Sequence, residues 1–162
     1  MKGLYRKRLG IWGEQTLDLW MRKNNWVPIL KNKKIKKGEV DRIYKYIKNY
    51  YCLAEVKTLY LNKTISSEYL FSANFMKKFI KKQQLLNLLR FSDFFLKNKE
   101  NRVFIRIFLV LIFGKKNFYI DKVHLCQNIK ICCFEKNFAI ISIIPEFTTN
   151  LKGKSDLEIW EK

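Results

Sequence analysis

Two carboxylates and a lysine interrupt an otherwise apolar and aromatic stretch of this chain, GEVDRIYKYIKNYYCLAEVKT at residues 38–58. Asp41, Glu55 and Lys57 are the side chains there whose types could do chemistry. In an extended strand, residues two apart share a face, so Glu55 and Lys57 project together and Val56 points away. If the segment is a hairpin turning about Lys48, Asp41 falls opposite Glu55, Ile43 opposite Leu53 and Val40 opposite Val56. Directly opposed residues have Cβ atoms about 4.5–5.5 Å apart. Carboxylates that close repel unless something positive joins them, and a divalent cation with oxygen ligands does so. Lys57 then sits beside the cation, where it can orient a water molecule or offset charge developing on a phosphate. The plain alternative is a solvated sheet face with an ordinary ion pair, which an isolated E-x-K spacing describes equally well.

Such a hairpin needs a sheet and helices to hold it. The spacing of Leu4, Leu9, Trp12, Leu17, Trp20 and Met21 predicts a helix over residues 4–24, ended by Asn24-Asn25. A short strand is expected in WVPIL, at an edge or a strand end because of Pro28, followed by a basic loop, KNKKIKKGE. Strands over 39–46 and 50–58 form the hairpin. Residues 75–98 read as the strongest helix, with Met76, Phe79, Ile80, Leu86, Leu89 and Phe94 available for its apolar face. Strands follow at 102–113 and 117–125, split by GKKN, and then a last hairpin in IKICCFEKNFAIISIIPEF before a polar tail. The run VFIRIFLVLIF lacks the alternation of a half-wet strand, so it is expected at the sheet centre, covered on both faces. The order implies an α/β fold, a mixed central sheet flanked by helices with an appended C-terminal hairpin.

At 162 residues and 48% hydrophobic, the chain suits one domain with a true core. Its net charge of +19 favours polyanions such as DNA, RNA or an anionic membrane face. Lysines outnumber arginines 26 to 7 alongside many Asn, Ile, Phe and Tyr, so part of the charge reflects compositional drift and counts only as support. Lys77, Lys78, Lys81 and Lys82, at four-residue spacings on the long helix, form a candidate phosphate-tracking stripe, or simply a solvated face. No apolar stretch follows the basic start, and the longest apolar run is too short to span a bilayer, so a cytoplasmic, membrane-free protein is expected. Cys52, Cys126, Cys132 and Cys133 show no C-x-x-C pairing and His124 is the single histidine, which argues against structural zinc and for reduced core thiols. Trp12, Trp20 and Trp26 suit core packing better than base stacking. Without a glycine-rich phosphate loop, triphosphate hydrolysis is not expected.

One combination is more specific than its parts: Gly10, Gly13 and Glu14 on the first helix, then Gly38, Glu39, Val40 and Asp41, then Glu55, Val56 and Lys57, then the lysine cluster from Lys77 to Lys82. Over roughly residues 5–125 this resembles the bacterial YraN family of predicted endonucleases, which belongs to the PD-(D/E)xK nuclease-like superfamily. The resemblance implies a restriction-endonuclease-like sheet and a nuclease-like domain over 1–126, with 127–162 a strand extension and polar tail of the same domain. It implies Mg²⁺ (or Mn²⁺) held by Asp41 and Glu55, catalytic roles for Glu14, Asp41, Glu55 and Lys57, and DNA as partner. The family's Arg-Phe-Asp after the long helix is here Arg106-Ile107-Phe108, without the acid. A catalytically silent nucleic-acid-binding module and a basic RNA- or ribosome-associated protein are the alternatives.

Overall fold

The computed structural model of the chain describes residues 2–35, 38–61, 69, 72, 78, 80–114 and 129–145. It is an α/β fold: a six-stranded mixed sheet with one helix on each face.

Helix α1, Lys2–Lys23, lays Gly13, Leu17 and Met21 against the sheet at four-residue spacing. Leu4 and Trp12, counted from the sequence toward its apolar face, are exposed. It stops where expected. Asn25 turns left-handed at φ 63°, and the Trp26 N–H closes back onto the Met21 carbonyl at 2.9 Å, satisfying an end carbonyl that has no helical partner.

Strand β1, Val27–Ile35, follows directly and forms one edge of the sheet, where Pro28 is tolerated. It is longer than expected. Lys31, Lys33 and Lys34 are strand residues paired to the next strand, not a loop, and Asn32 lies within the same strand. An edge strand can leave its polar side chains in water while its backbone is still laddered, so a lysine run does not exclude it.

Strand β2, Gly38–Lys45, and strand β3, Tyr50–Leu61, form the antiparallel hairpin. Its register is Arg42↔Ala54, Ile43↔Leu53, Tyr44↔Cys52 and Lys45↔Tyr51. This is the register of a turn about Lys48, but the paired segment ends one step short of Asp41 and Glu55. β3 then runs parallel to β4, Arg102–Phe113, over its whole length, from Tyr50↔Arg102 to Leu61↔Phe113. Strands β5, Ile129–Phe134, and β6, Phe138–Ile143, form a hairpin that joins the same sheet through β6, giving the order β1-β2-β3-β4-β6-β5.

β4 is central and covered on both faces, as its apolar run, interrupted only by Arg106, predicts. Phe104, Phe108 and Val110 pack with Leu17 and Met21 of α1. Ile105 packs with Leu88 and Phe91 of helix α2, Lys82–Leu96, on the opposite face. That helix is shorter than the sequence suggested. Lys81, at ψ 138°, is still extended, so the helix begins at Lys82. Its buried residues are Asn87, Leu88, Phe91 and Ser92, while Phe94 is exposed. Met76, Phe79, His124, Cys126, the strand expected at 117–125 and the polar tail lie outside the described residues. Cys52 is buried, Cys132 and Cys133 are half-buried, and Trp26 is buried against Phe104. No described helix is long and apolar enough to cross a membrane.

Candidate active site

Asp41 occupies an irregular step of β2. Its neighbours are paired, Val40 with Lys33 and Arg42 with Lys31, but Asn32, facing the step between them, is left-handed at φ 47°. Val40 and Ile43 both enter the core cluster on the α2 side, so the two-residue alternation slips between them. Asp41 takes up the slack. Its Oδ2 accepts the Val56 N–H at 2.8 Å, just past the last β2–β3 pair, so a side chain acts as acceptor where the ladder has run out.

Glu55 and Lys57 share one face of β3, and Val56 enters the core cluster beneath α1 on the other. Glu55 is 3% exposed. Its Oε1 accepts from Lys57 Nζ at 2.7 Å and also from Gln84 Nε2 of α2. Gln84 is in turn oriented by its Oε1, which accepts the Lys81 N–H at 3.2 Å.

The electrostatics bind the two carboxylates together. Burial pushes the Glu55 carboxyl up to about 7, and repulsion from Asp41 adds to it, against the opposing pull of Lys57. Burial also raises Asp41, although the Val56 N–H and Lys57 favour its charged form. Each is thus a carboxylate whose negative charge is poorly compensated where it stands.

Glu14 is placed differently. Its Oε2 receives Arg42 Nη2 at 2.8 Å, and Arg42 is 4% exposed. Arg42 Nε donates to Asp18 Oδ1 at 3.1 Å, and Nη1 donates to Asn32 Oδ1 and, at 2.8 Å, to the carbonyl of Asp41. Tyr44 donates its hydroxyl to Asp18, and Lys31 pairs with the other Asp18 oxygen at 2.9 Å. Burial raises the Glu14 carboxyl, with Arg42 opposing and Asp41 adding repulsion. Glu14 therefore belongs to a network between α1 and the β1–β2 hairpin and reaches Asp41 through Arg42. Gly13 makes this possible: a Cβ there would collide with Thr58 of β3, so only glycine lets α1 come this close. Gly38 is the same kind of position against Asn87 of α2.

Of the four lysines, the three described ones do not lie on one continuous helix. Lys81 and Lys82 are exposed at the start of α2, with Lys81 outside the helix proper. Lys78 is exposed and donates to the Tyr69 hydroxyl at 3.2 Å, and Lys77 lies outside the described residues. A four-residue spacing aligns side chains only within a continuous helix, and the extended Lys81 interrupts it.

Among the described residues, no group of three or more His, Cys, Asp or Glu is placed to hold a metal ion. Asp41 and Glu55 would still suit Mg²⁺ by their chemistry, being hard oxygen donors whose repulsion Lys57 offsets only in part, and Mg²⁺ commonly takes only one or two carboxylates beside its waters. Sequence reasoning missed Gln84, Arg42, Asp18 and Tyr44. The four-residue spacing of Glu14 and Asp18 puts both acids on one face of α1, the one signal the sequence carried, while nothing in it singled out Arg42 as their partner. Gln84, in a polar Gln-Gln pair, carried no signal. No family model and no curated protein matches the chain.

Proposed function

We propose that this chain is a metal-dependent, YraN-type nuclease of the cytoplasm that hydrolyses phosphodiester bonds in DNA, selecting branched or otherwise unusual structures. The observation that carries this reading is the juxtaposition of a buried carboxylate, a half-buried one whose charge repels it, and one lysine: Glu55, Asp41 and Lys57. Perturbed carboxylates with a specific charge partner concentrate at functional sites. Asp41 and Glu55 would hold Mg²⁺ or Mn²⁺, which when bound polarises a phosphate oxygen and acidifies its water. Lys57 brings an ammonium to the same face, where it holds a water molecule and offsets charge growing on the phosphate. Glu14 acts on Asp41 through Arg42, whose donation to the Asp41 carbonyl fixes the backbone from which that carboxylate projects. Lys81 and Lys82 meet the phosphate backbone of the substrate beside the site.

The test is cleavage of duplex, forked and four-way DNA with Mg²⁺ or Mn²⁺. Asp41→Asn and Glu55→Gln each abolish cleavage and leave salt-sensitive DNA binding in place, while Lys57→Ala keeps metal binding and lowers turnover. Full cleavage by Asp41→Asn refutes the reading.

A second reading, nucleic-acid binding without turnover, is favoured by the 2.7 Å pair in which Lys57 already neutralises Glu55, and by the absence of a third described ligand. Metal-independent DNA binding with no cleavage would select it. A preference for RNA regardless of metal would select a ribosome-associated role.

A further inference from the structure

We propose that Gln84 is a positioning residue of this site, holding the Glu55 carboxylate from the first turn of α2; the inference rests on the metal-dependent reading above. Its amide bridges two elements. The Oε1 accepts the Lys81 N–H, so the NH₂ end must face the sheet, and there it donates to Glu55 Oε1. Lys57 donates to that same oxygen at 2.7 Å. Both donors therefore fall on one oxygen of the carboxylate and leave the lone pairs of Oε2 for another partner.

The residue type matters as much as the contact. A lysine at position 84 would cancel the Glu55 charge that a cation needs, and a carboxylate would add to the repulsion from Asp41. A neutral amide fixes the carboxylate without doing either. Because Gln84 also holds the Lys81 backbone, the exposed lysines at the start of α2 keep a fixed distance from Glu55. Residues that orient a ligating carboxylate typically contribute 10–100-fold in metal affinity.

The test uses the full chain stripped of metal with EDTA, then titrated calorimetrically with MnCl₂. Gln84→Met keeps the length of the side chain and removes its donor, and Gln84→Ala is a second variant should the first misfold. Circular dichroism and urea midpoints verify the fold of each. Mn²⁺ affinity should fall about tenfold or more in either folded variant. Without metal, the Gln84 side-chain amide resonances, identified by their loss in Gln84→Met, should shift in Glu55→Gln. Parent-like Mn²⁺ affinity in both variants, or an unshifted Gln84 amide, overturns the positioning role alone. A parent chain that binds no Mn²⁺ overturns the metal-dependent reading and the positioning role with it.

Discussion

Glu55→Gln should make the metal-free protein more stable at alkaline pH. Burial and Asp41 raise the folded-state value of Glu55 to about 7, against an ordinary 4.5. Between those two values the folded chain holds more protons than the unfolded one, so stability falls as pH rises through that window. The favourable contribution is complete below about 4.5 and lost above about 7. At about 1.4 kcal/mol per pH unit the full loss is about 3 kcal/mol, and Glu55, only 3% exposed, is little screened. Glutamine keeps the shape and can still accept from Lys57 and donate or accept with Gln84. The attraction of Lys57 is already contained in the value of about 7, so it is not subtracted again. The net expectation is a gain of about 3 kcal/mol at pH 8 and almost none at pH 4.5. Urea unfolding in EDTA at pH 5, 6.5 and 8 measures it. Asp41 and Glu14, also raised, should leave a shallower slope of the same sign in the variant. If Glu55→Gln is no more stable than the parent at pH 8, the electrostatic reasoning about the pair is wrong.

Gly13→Ala drives a methyl group into Thr58 and should cost about 1–3 kcal/mol in urea unfolding, with α1 displaced from β3. Arg42→Met leaves Asp18 and Glu14 without their shared cation and should cost about 3–5 kcal/mol, a larger loss than Glu14→Gln gives in the same assay. Affinity for duplex DNA should fall linearly with salt on a log–log plot, and Lys81→Ala with Lys82→Ala should reduce that slope by about one per residue. Flat affinity between low and physiological salt would show the lysines to be mere surface.

The hairpin and β4 were legible because both rest on simple periodicities. A two-residue alternation with a short turn leaves one sensible register, and a run apolar on both faces, such as Val103 to Phe113 with Arg106 its single polar residue, is satisfied between two covered faces. What could not be read was decided by tertiary partners. Lys31 to Lys34 look like a loop until the pairing offered by β2 is known. Lys81 looks helical by propensity, yet it is extended and the helix starts one residue later, where the Gln84 side chain takes up the Lys81 N–H. Within the candidate site, Asp41, Glu55 and Lys57 stood out as charges in apolar surroundings. Glu14 was named from its motif, but its partner Arg42 is a matter of packing across the sheet.

The unequal stitching of β3 gives the molecule a mechanical asymmetry. On one side the strand is laddered to β4 from Tyr50 to Leu61; on the other its pairing with β2 ends at Ala54. The sheet is a fork, with Glu55 and Lys57 on the fixed tine and Asp41 at the root of the free one. Past that root, the Val56 N–H to Asp41 bond clips β2 to β3, and the Arg42 network ties the base of the free tine to α1. Strain applied to the β1–β2 arm concentrates at Asp41 and leaves the β4 ladder untouched. The Val56 amide proton, bonded to a carboxylate in place of a backbone carbonyl, should therefore exchange before the β3 amides laddered to β4 when the arm is pulled.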